Sequence, residues 1–179
     1  MILNDREIEK AGIINPFLEG QKRPGKISYG VSHFGYDIRI ARKFKLFTTG
    51  NGPVVDPKNI NDSCFVDIEA DKCIIPPNSY ALGESVEYFK MPEDVIGLCV
   101  GKSSYARCGI IVNVTPAEPG WEGILTIEIG NGTPRPVVVY AEEGIAQMLF
   151  FRGNEPSTNY NTKGGKYQNQ DGLTLPRVD

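Results

Sequence analysis

Between about Ser28 and Phe151, apolar residues come in short runs or alternate with polar ones, and Gly, Pro, Asn and Asp supply the breaks. The pattern predicts strands over Tyr36–Ile40, Lys43–Thr48, Phe65–Glu69, Tyr80–Tyr88, Val95–Gly101, Ile110–Val114, Gly123–Ile129, Val137–Tyr140 and Ala146–Phe151. No helices alternate with them, which favours a β-sandwich or barrel over an α/β sheet. At the N-terminus Asn4 can cap a helix, Glu7 stands at the capping-box position, and Leu3 and Ile8 can form the hydrophobic staple. Gly12 and Pro16 keep that helix short. Ser103–Arg107 reads as a single helical turn. After Gly153 the chain becomes polar and glycine-rich with little to bury. Residues 155–179 are therefore expected to form a mobile tail on one domain spanning 1–179.

The strand Gly123-Ile-Leu-Thr-Ile-Glu-Ile129 carries the sharpest chemical signal. Alternation puts Leu125, Ile127 and Ile129 on one uniformly apolar face, which should be core. Ile124, Thr126 and Glu128 share the other. Glu128 thus points to a pocket, a subunit contact or solvent. In a dry pocket, desolvation raises a carboxyl pKa toward the range useful for general acid–base work.

A chain of 179 residues with a net charge of −3 offers no broad nucleic-acid footprint, so any phosphate site must be a local basic cluster. There is no apolar stretch long enough for a membrane span. The start, Met-Ile-Leu-Asn-Asp-Arg-Glu, lacks the basic-then-apolar order of a signal peptide, so a cytoplasmic protein is expected. Cys64, Cys73, Cys99 and Cys108 form no Cys-x-x-Cys pair and read as small hydrophobes. His33 is the only histidine, so a triad or a His/Cys zinc site could draw only one imidazole from the chain.

Gly101-Lys-Ser-Ser-Tyr-Ala-Arg107 packs two cations and two serine hydroxyls into one turn. It is not a P-loop. Position 96 is Ile where the motif needs Gly, Gly97 leaves the loop one residue short, and Cys108–Val114 reads as a strand where a long helix should follow. What remains is a basic turn in which Lys102 and Arg107 can hold phosphate oxygens, with Ser103 and Ser104 as donors. Asp37 alternates with apolar neighbours and reads as a structural acid paired with Arg39, Arg42 or nearby backbone. Lys163-Gly-Gly-Lys-Tyr-Gln-Asn-Gln170 adds polar donors in the tail.

These segments form a colinear set: Met1–Ile8, Gly35-Tyr-Asp-Ile-Arg-Ile40, Gly101–Arg107, Pro119-Gly-Trp-Glu-Gly123, Thr126-Ile-Glu128, Gly144-Ile-Ala-Gln147 and Lys166-Tyr-Gln-Asn-Gln170. Together they resemble the dCTP deaminases of the dUTPase-like superfamily. The resemblance implies a mainly β fold, a distorted barrel or jelly roll, assembled as a homotrimer with active sites between subunits. It implies hydrolysis of dCTP to dUTP and ammonia, supplying dUTP for dUMP and thymidylate synthesis. Glu128 would be the catalytic acid/base. Lys102, Ser103, Ser104, Tyr105, Ala106 and Arg107 would form the nucleotide-binding turn, with Ser103 and Arg107 nearest the chemistry. Thr126 and Ile127 would flank the base. Gln147, Tyr160, Lys166 and Gln170 would bind sugar or triphosphate, the last two as part of a lid. Magnesium is expected on the triphosphate. No zinc is expected, because the His-x-Glu and Pro-Cys-x-x-Cys set of zinc deaminases is missing.

Thr115-Pro-Ala-Glu-Pro-Gly120 is two residues shorter than the corresponding run in many members. Glu118 stands for the usual aspartate beside the sugar, Pro116 for an alanine, and Asn113 where histidine is common. Two alternatives are a bifunctional enzyme that carries dCTP through to dUMP, and a non-catalytic nucleotide-binding β-trimer.

Overall fold

A computed structural model of the chain describes residues 1–48, 54–60 and 62–178. Helix α1 (Asp5–Ala11) begins where the capping box predicts. The Glu7 N–H donates to Asn4 Oδ1 at 3.1 Å, and the Asn4 N–H donates to Glu7 Oε2 at 3.0 Å. Leu3 and Ile8 are fully buried, and Gly12 ends the helix at φ 62°, a left-handed conformation that glycine adopts without strain.

The rest is β, with strands β1 (Ile14–Asn15), β2 (Gly30–Ser32), β3 (Gly35–Phe47), β4 (Phe65–Glu69), β5 (Lys72–Ile75), β6 (Tyr80–Lys90) and β7 (Val95–Gly101). A one-turn helix, α2 (Ser103–Ala106), separates β7 from β8 (Ile110–Asn113). Then come β9 (Glu122–Asn131), β10 (Val137–Tyr140) and β11 (Gly144–Arg152). Neighbours run antiparallel in the order β7-β11-β3-β6-β9-β8. In addition, β1 pairs with β6, β2 and β4 pair with β3, and β5 and β10 form a separate ribbon. The two ends of the path, β7 and β8, lie against each other beside α2, so the sheet nearly closes into a barrel.

β3 runs through what the sequence pattern divides into Tyr36–Ile40 and Lys43–Thr48. Its register against β6 slips between Ile40 and Phe44, where the polar Arg42–Lys43 stretch interrupts the alternation. Strands β1, β2 and β5 are not predicted by the pattern.

β9 keeps the predicted alternation: Leu125, Ile127 and Ile129 are buried, while Ile124, Thr126 and Glu128 are only partly covered. Full burial of each such aliphatic side chain stabilises by about 1.5–3 kcal/mol. The apolar interior also contains a charge. Glu87 is fully buried. It accepts from Arg39 Nε at 2.7 Å and from the Arg39 N–H at 3.0 Å, while desolvation holds its pKa up against these bonds.

Candidate active site

The Glu128 side chain leaves β9 between Leu82 of β6 and Asn113 of β8, the residues opposite it in the sheet. It enters a cavity of about 380 Å³, whose walls include Leu82, Leu125 and Trp121. Thr115–Glu118 forms one side, and Tyr160, Tyr167, Gln170, Thr174 and Pro176 close it from the C-terminal segment. Phe65 and Tyr80 form another wall and pack with Phe47, whose ring stacks on Tyr80 at 4.7 Å between centroids.

Oε2 of Glu128 is buried and has no hydrogen-bond partner among the described residues. Loss of water around it raises the carboxyl pKa from 4.5 to about 7, against a small opposing effect from its own backbone N–H. Among the described residues no cation contributes to that shift. The neighbouring Cys99 thiol is pushed up to about 12, first by burial and then by the charge of Glu128. A carboxyl with one oxygen free of hydrogen bonds, in a largely apolar cavity, can carry a proton between two atoms of a bound molecule.

Thr126, Glu118, Tyr160 and Gln170 reach this cavity, as does Pro116. Ile127 is fully buried on the opposite face of β9, so only its backbone is available to a ligand. Ala117 exchanges backbone hydrogen bonds with Gly97 of β7, both at 2.9 Å, and so ties the short Thr115–Gly120 run to the barrel.

The basic turn lies elsewhere in the chain. Ser103, Ser104, Ala106 and Arg107 are exposed and do not line the Glu128 cavity. Tyr105 is buried, and its hydroxyl accepts the Tyr140 N–H at 2.9 Å, which anchors the turn to β10. Lys102 Nζ donates to Asp37 Oδ2 at 2.5 Å. Asp37 therefore pairs with Lys102 rather than with Arg39 or Arg42, because the buried Glu87 takes the Arg39 guanidinium and Asp71 takes Arg42 at 2.6 Å. Gln147 lies opposite Asp37 in the sheet and donates to Ser32 Oγ at 3.0 Å. The chain thus holds two polar groups apart: Glu128 with Thr126, Glu118, Tyr160 and Gln170, and the Lys102–Arg107 turn with Asp37 and Gln147.

Sequence reasoning missed Trp121 as a site residue. It is buried in the cavity wall, and its Nε1–H donates to the Tyr167 carbonyl at 2.9 Å. The signal available was that it is the only tryptophan in the chain, next to a Pro-Gly turn.

The C-terminal segment lies across the outer face of β9. Gln170 forms a parallel bridge with Gly123, its carbonyl accepts the Ile124 N–H at 2.7 Å, and its side-chain amide reaches the Ile124 carbonyl and Thr126 Oγ1, both at 2.8 Å. Lys166 Nζ donates to the Arg177 carbonyl. Hydrogen bonds hold this segment.

A near-closed antiparallel barrel with one sheltered carboxylate on its ninth strand falls in the dUTPase-like fold class. The chain belongs to the dCTP deaminase-like family, whose model matches residues 2–153. It is 58% identical over 174 residues to a dCTP deaminase of Herpetosiphon aurantiacus, covering 97% of this chain and 95% of that one. It is 57% identical over 182 residues to a dCTP deaminase of Erythrobacter litoralis, covering 99% of each. The solved 2'-deoxycytidine 5'-triphosphate deaminase of Agrobacterium tumefaciens shares the fold, with a TM-score of 0.61 and 19% identity over 85% of this chain. This chain spans about half (48%) of that one.

Proposed function

We propose that the protein hydrolyses dCTP to dUTP and ammonia, with Glu128 as the proton carrier. The observation that carries this is the buried, unpartnered Glu128 oxygen in a cavity walled mainly by apolar and aromatic side chains, with Thr126, Glu118 and Gln170 as polar neighbours. Water adds to C4 of cytosine and Glu128 takes its proton and delivers it to N3. The carboxylate next takes the proton of the new C4 hydroxyl and passes it to the amino group. The C4–N bond breaks, ammonia leaves, and C4 becomes a carbonyl. Within one chain burial raises this carboxyl to about 7, and a group in that range can both accept and return a proton near neutral pH. Positioned acid–base action contributes roughly 10²–10⁴-fold, so orientation and electrostatics supply the remainder.

Ser103, which would hold the water, and Arg107, which would orient Glu128 and the serine, come from a neighbouring subunit of a homotrimer. Two features support this. In one chain these residues lie away from the Glu128 cavity, and Leu98 and Val100 on β7 and Ile111 on β8 leave an exposed apolar stripe beside α2. The turn from Lys102 to Arg107 receives the triphosphate, and Gln147, Tyr160, Lys166 and Gln170 bind sugar or triphosphate. Magnesium arrives as part of the substrate, on its phosphates. Among the described residues no three His, Cys, Asp or Glu side chains are grouped to hold a metal ion. No helix among them is long and apolar enough to cross a membrane.

Incubation with each nucleoside triphosphate in turn, following ammonia and pyrophosphate separately, tests this. Ammonia from dCTP without pyrophosphate is expected. Binding of dCTP with no ammonia would leave a nucleotide-binding β-trimer as the function.

A further inference from the structure

The last residues of the tail are tied to the barrel at one place, which the proposed chemistry does not use. Glu84 of β6 is only 9% exposed, and its Oε2 accepts the Leu173 N–H at 2.8 Å. The tail backbone passes so close that a Cβ at Gly172 would come within 3.1 Å of that oxygen. The other oxygen, Oε1, lies 4.0 Å from Nζ of the largely exposed Lys43. Glu84 stands opposite Thr126 across the β6–β9 pair, and Thr126 Oγ1 accepts from Gln170 Nε2 at 2.8 Å and from the Thr174 N–H at 3.1 Å. Adjacent side chains on two strands thus grip the same piece of tail. Among the described residues, these bonds from Leu173 and Thr174 are what joins residues 172–178 to the barrel by hydrogen bonding. Thr174 and Pro176, which they hold in place, line the Glu128 cavity.

We propose that Glu84 is the latch of the C-terminal lid, a positioning residue that acts through the Leu173 N–H. A carboxylate accepting a backbone N–H in a place this little exposed makes a charge-assisted bond, stronger than the neutral bond to Thr126. Arg177 at the far end stays bonded to Lys166 and Tyr167, so losing the Glu84 bond loosens the stretch between Gln170 and Arg177 and lets it lift and admit water to the cavity. The inference rests on the dCTP-deaminating reading of that cavity for its kinetic consequence, but not for its structural one.

The test measures amide hydrogen exchange over residues 170–177 together with steady-state kinetics on dCTP, using the full-length protein. Glu84→Ala is expected to speed exchange across that segment and raise KM about tenfold, with a smaller change in kcat. Glu84→Gln keeps an acceptor and should recover most of the parent behaviour. Leu173→Pro removes the donor from the tail side and leaves every barrel residue in place, so it guards against misfolding of the Glu84 variants. It should reproduce the effect of Glu84→Ala, and the double variant should be no worse than the more affected single one. Unchanged exchange in Glu84→Ala, additive effects in the double variant, or faster exchange with an unaltered KM would each overturn the latch. A parent protein that releases no ammonia from dCTP would instead overturn the deaminase reading, while the exchange measurements would still judge Glu84.

Discussion

Replacing Glu128 with glutamine separates the chemistry of this carboxyl from its cost to the fold. The substitution is nearly isosteric, and because Oε2 makes no hydrogen bond it breaks none at that atom. Loss of the proton carrier is expected to lower kcat for ammonia release roughly 10²–10⁴-fold with dCTP still bound. The stability effect should be measured with Arg107→Ala in both proteins, so that no cation of a neighbouring subunit reaches the carboxyl. In that setting the folded pKa of about 7 lies above the ordinary 4.5. The folded state then binds more protons than the unfolded one between those values, so stability contributed by the protonated group is present below pH 4.5 and is lost as pH rises through 7. The whole difference amounts to at most roughly 3 kcal/mol. Glutamine does not ionise, so the gap between the two proteins should open from pH 4.5 to 7 in favour of the Gln variant. Melting temperatures would then differ on the order of 6–12 °C at pH 8 and little at pH 4. Ammonia release within tenfold of the parent would remove Glu128 as the base. A gap that closes as pH rises would mean that the carboxylate is stabilised as an ion, and the desolvation argument would fall.

Complete turnover of dCTP should yield dUTP and ammonia, because the short Thr115–Gly120 run is pinned at Ala117 and has little slack to hold a second water at the α-phosphate. Chromatography finding dUMP and pyrophosphate in step with ammonia would establish the bifunctional alternative. Removing magnesium should weaken dCTP binding, whereas a zinc-selective chelator should leave the ammonia rate unchanged; metal analysis finding about one zinc per chain would contradict this. Arg39→Ala should destabilise the fold by about 3–5 kcal/mol, since it leaves the fully buried Glu87 without its cation. A loss below about 1 kcal/mol in denaturant unfolding would show that Glu87 is held protonated instead.

The elements that could be read from the sequence are those whose signal is local. The capping box needs only Asn4 and Glu7, three residues apart, and the inner face of β9 needs only alternation from Leu125 to Ile129. The pattern does not predict β5, because it is brief and lies between Asp71 and two prolines, although its buried Cys73 and Ile75 do alternate with exposed neighbours. The charged stretch at the β3 slip breaks the period, so the pattern divides that strand in two. The face of Glu128 could be read for the same reason as the core, whereas its lack of a partner could not, since that depends on what β6 and β8 bring beside it. The Lys102–Asp37 pair spans 65 residues, and nothing in either neighbourhood points to the other. Trp121 was part of a recognised motif, but the tail carbonyl that fixes it lies 46 residues away.

Glu128 and Arg107 lie in different regions of one chain, and if the site is shared between subunits as proposed, this separation has a genetic meaning. Two null alleles, one lacking the carboxyl and one lacking the guanidinium, should complement each other when expressed together. Random mixing in a cyclic trimer gives about a quarter of the interfaces both intact groups. An allele carrying both lesions can repair nothing. Co-expressed with the normal gene, it would instead act as a poison, because each defective subunit spoils the site on either side of it.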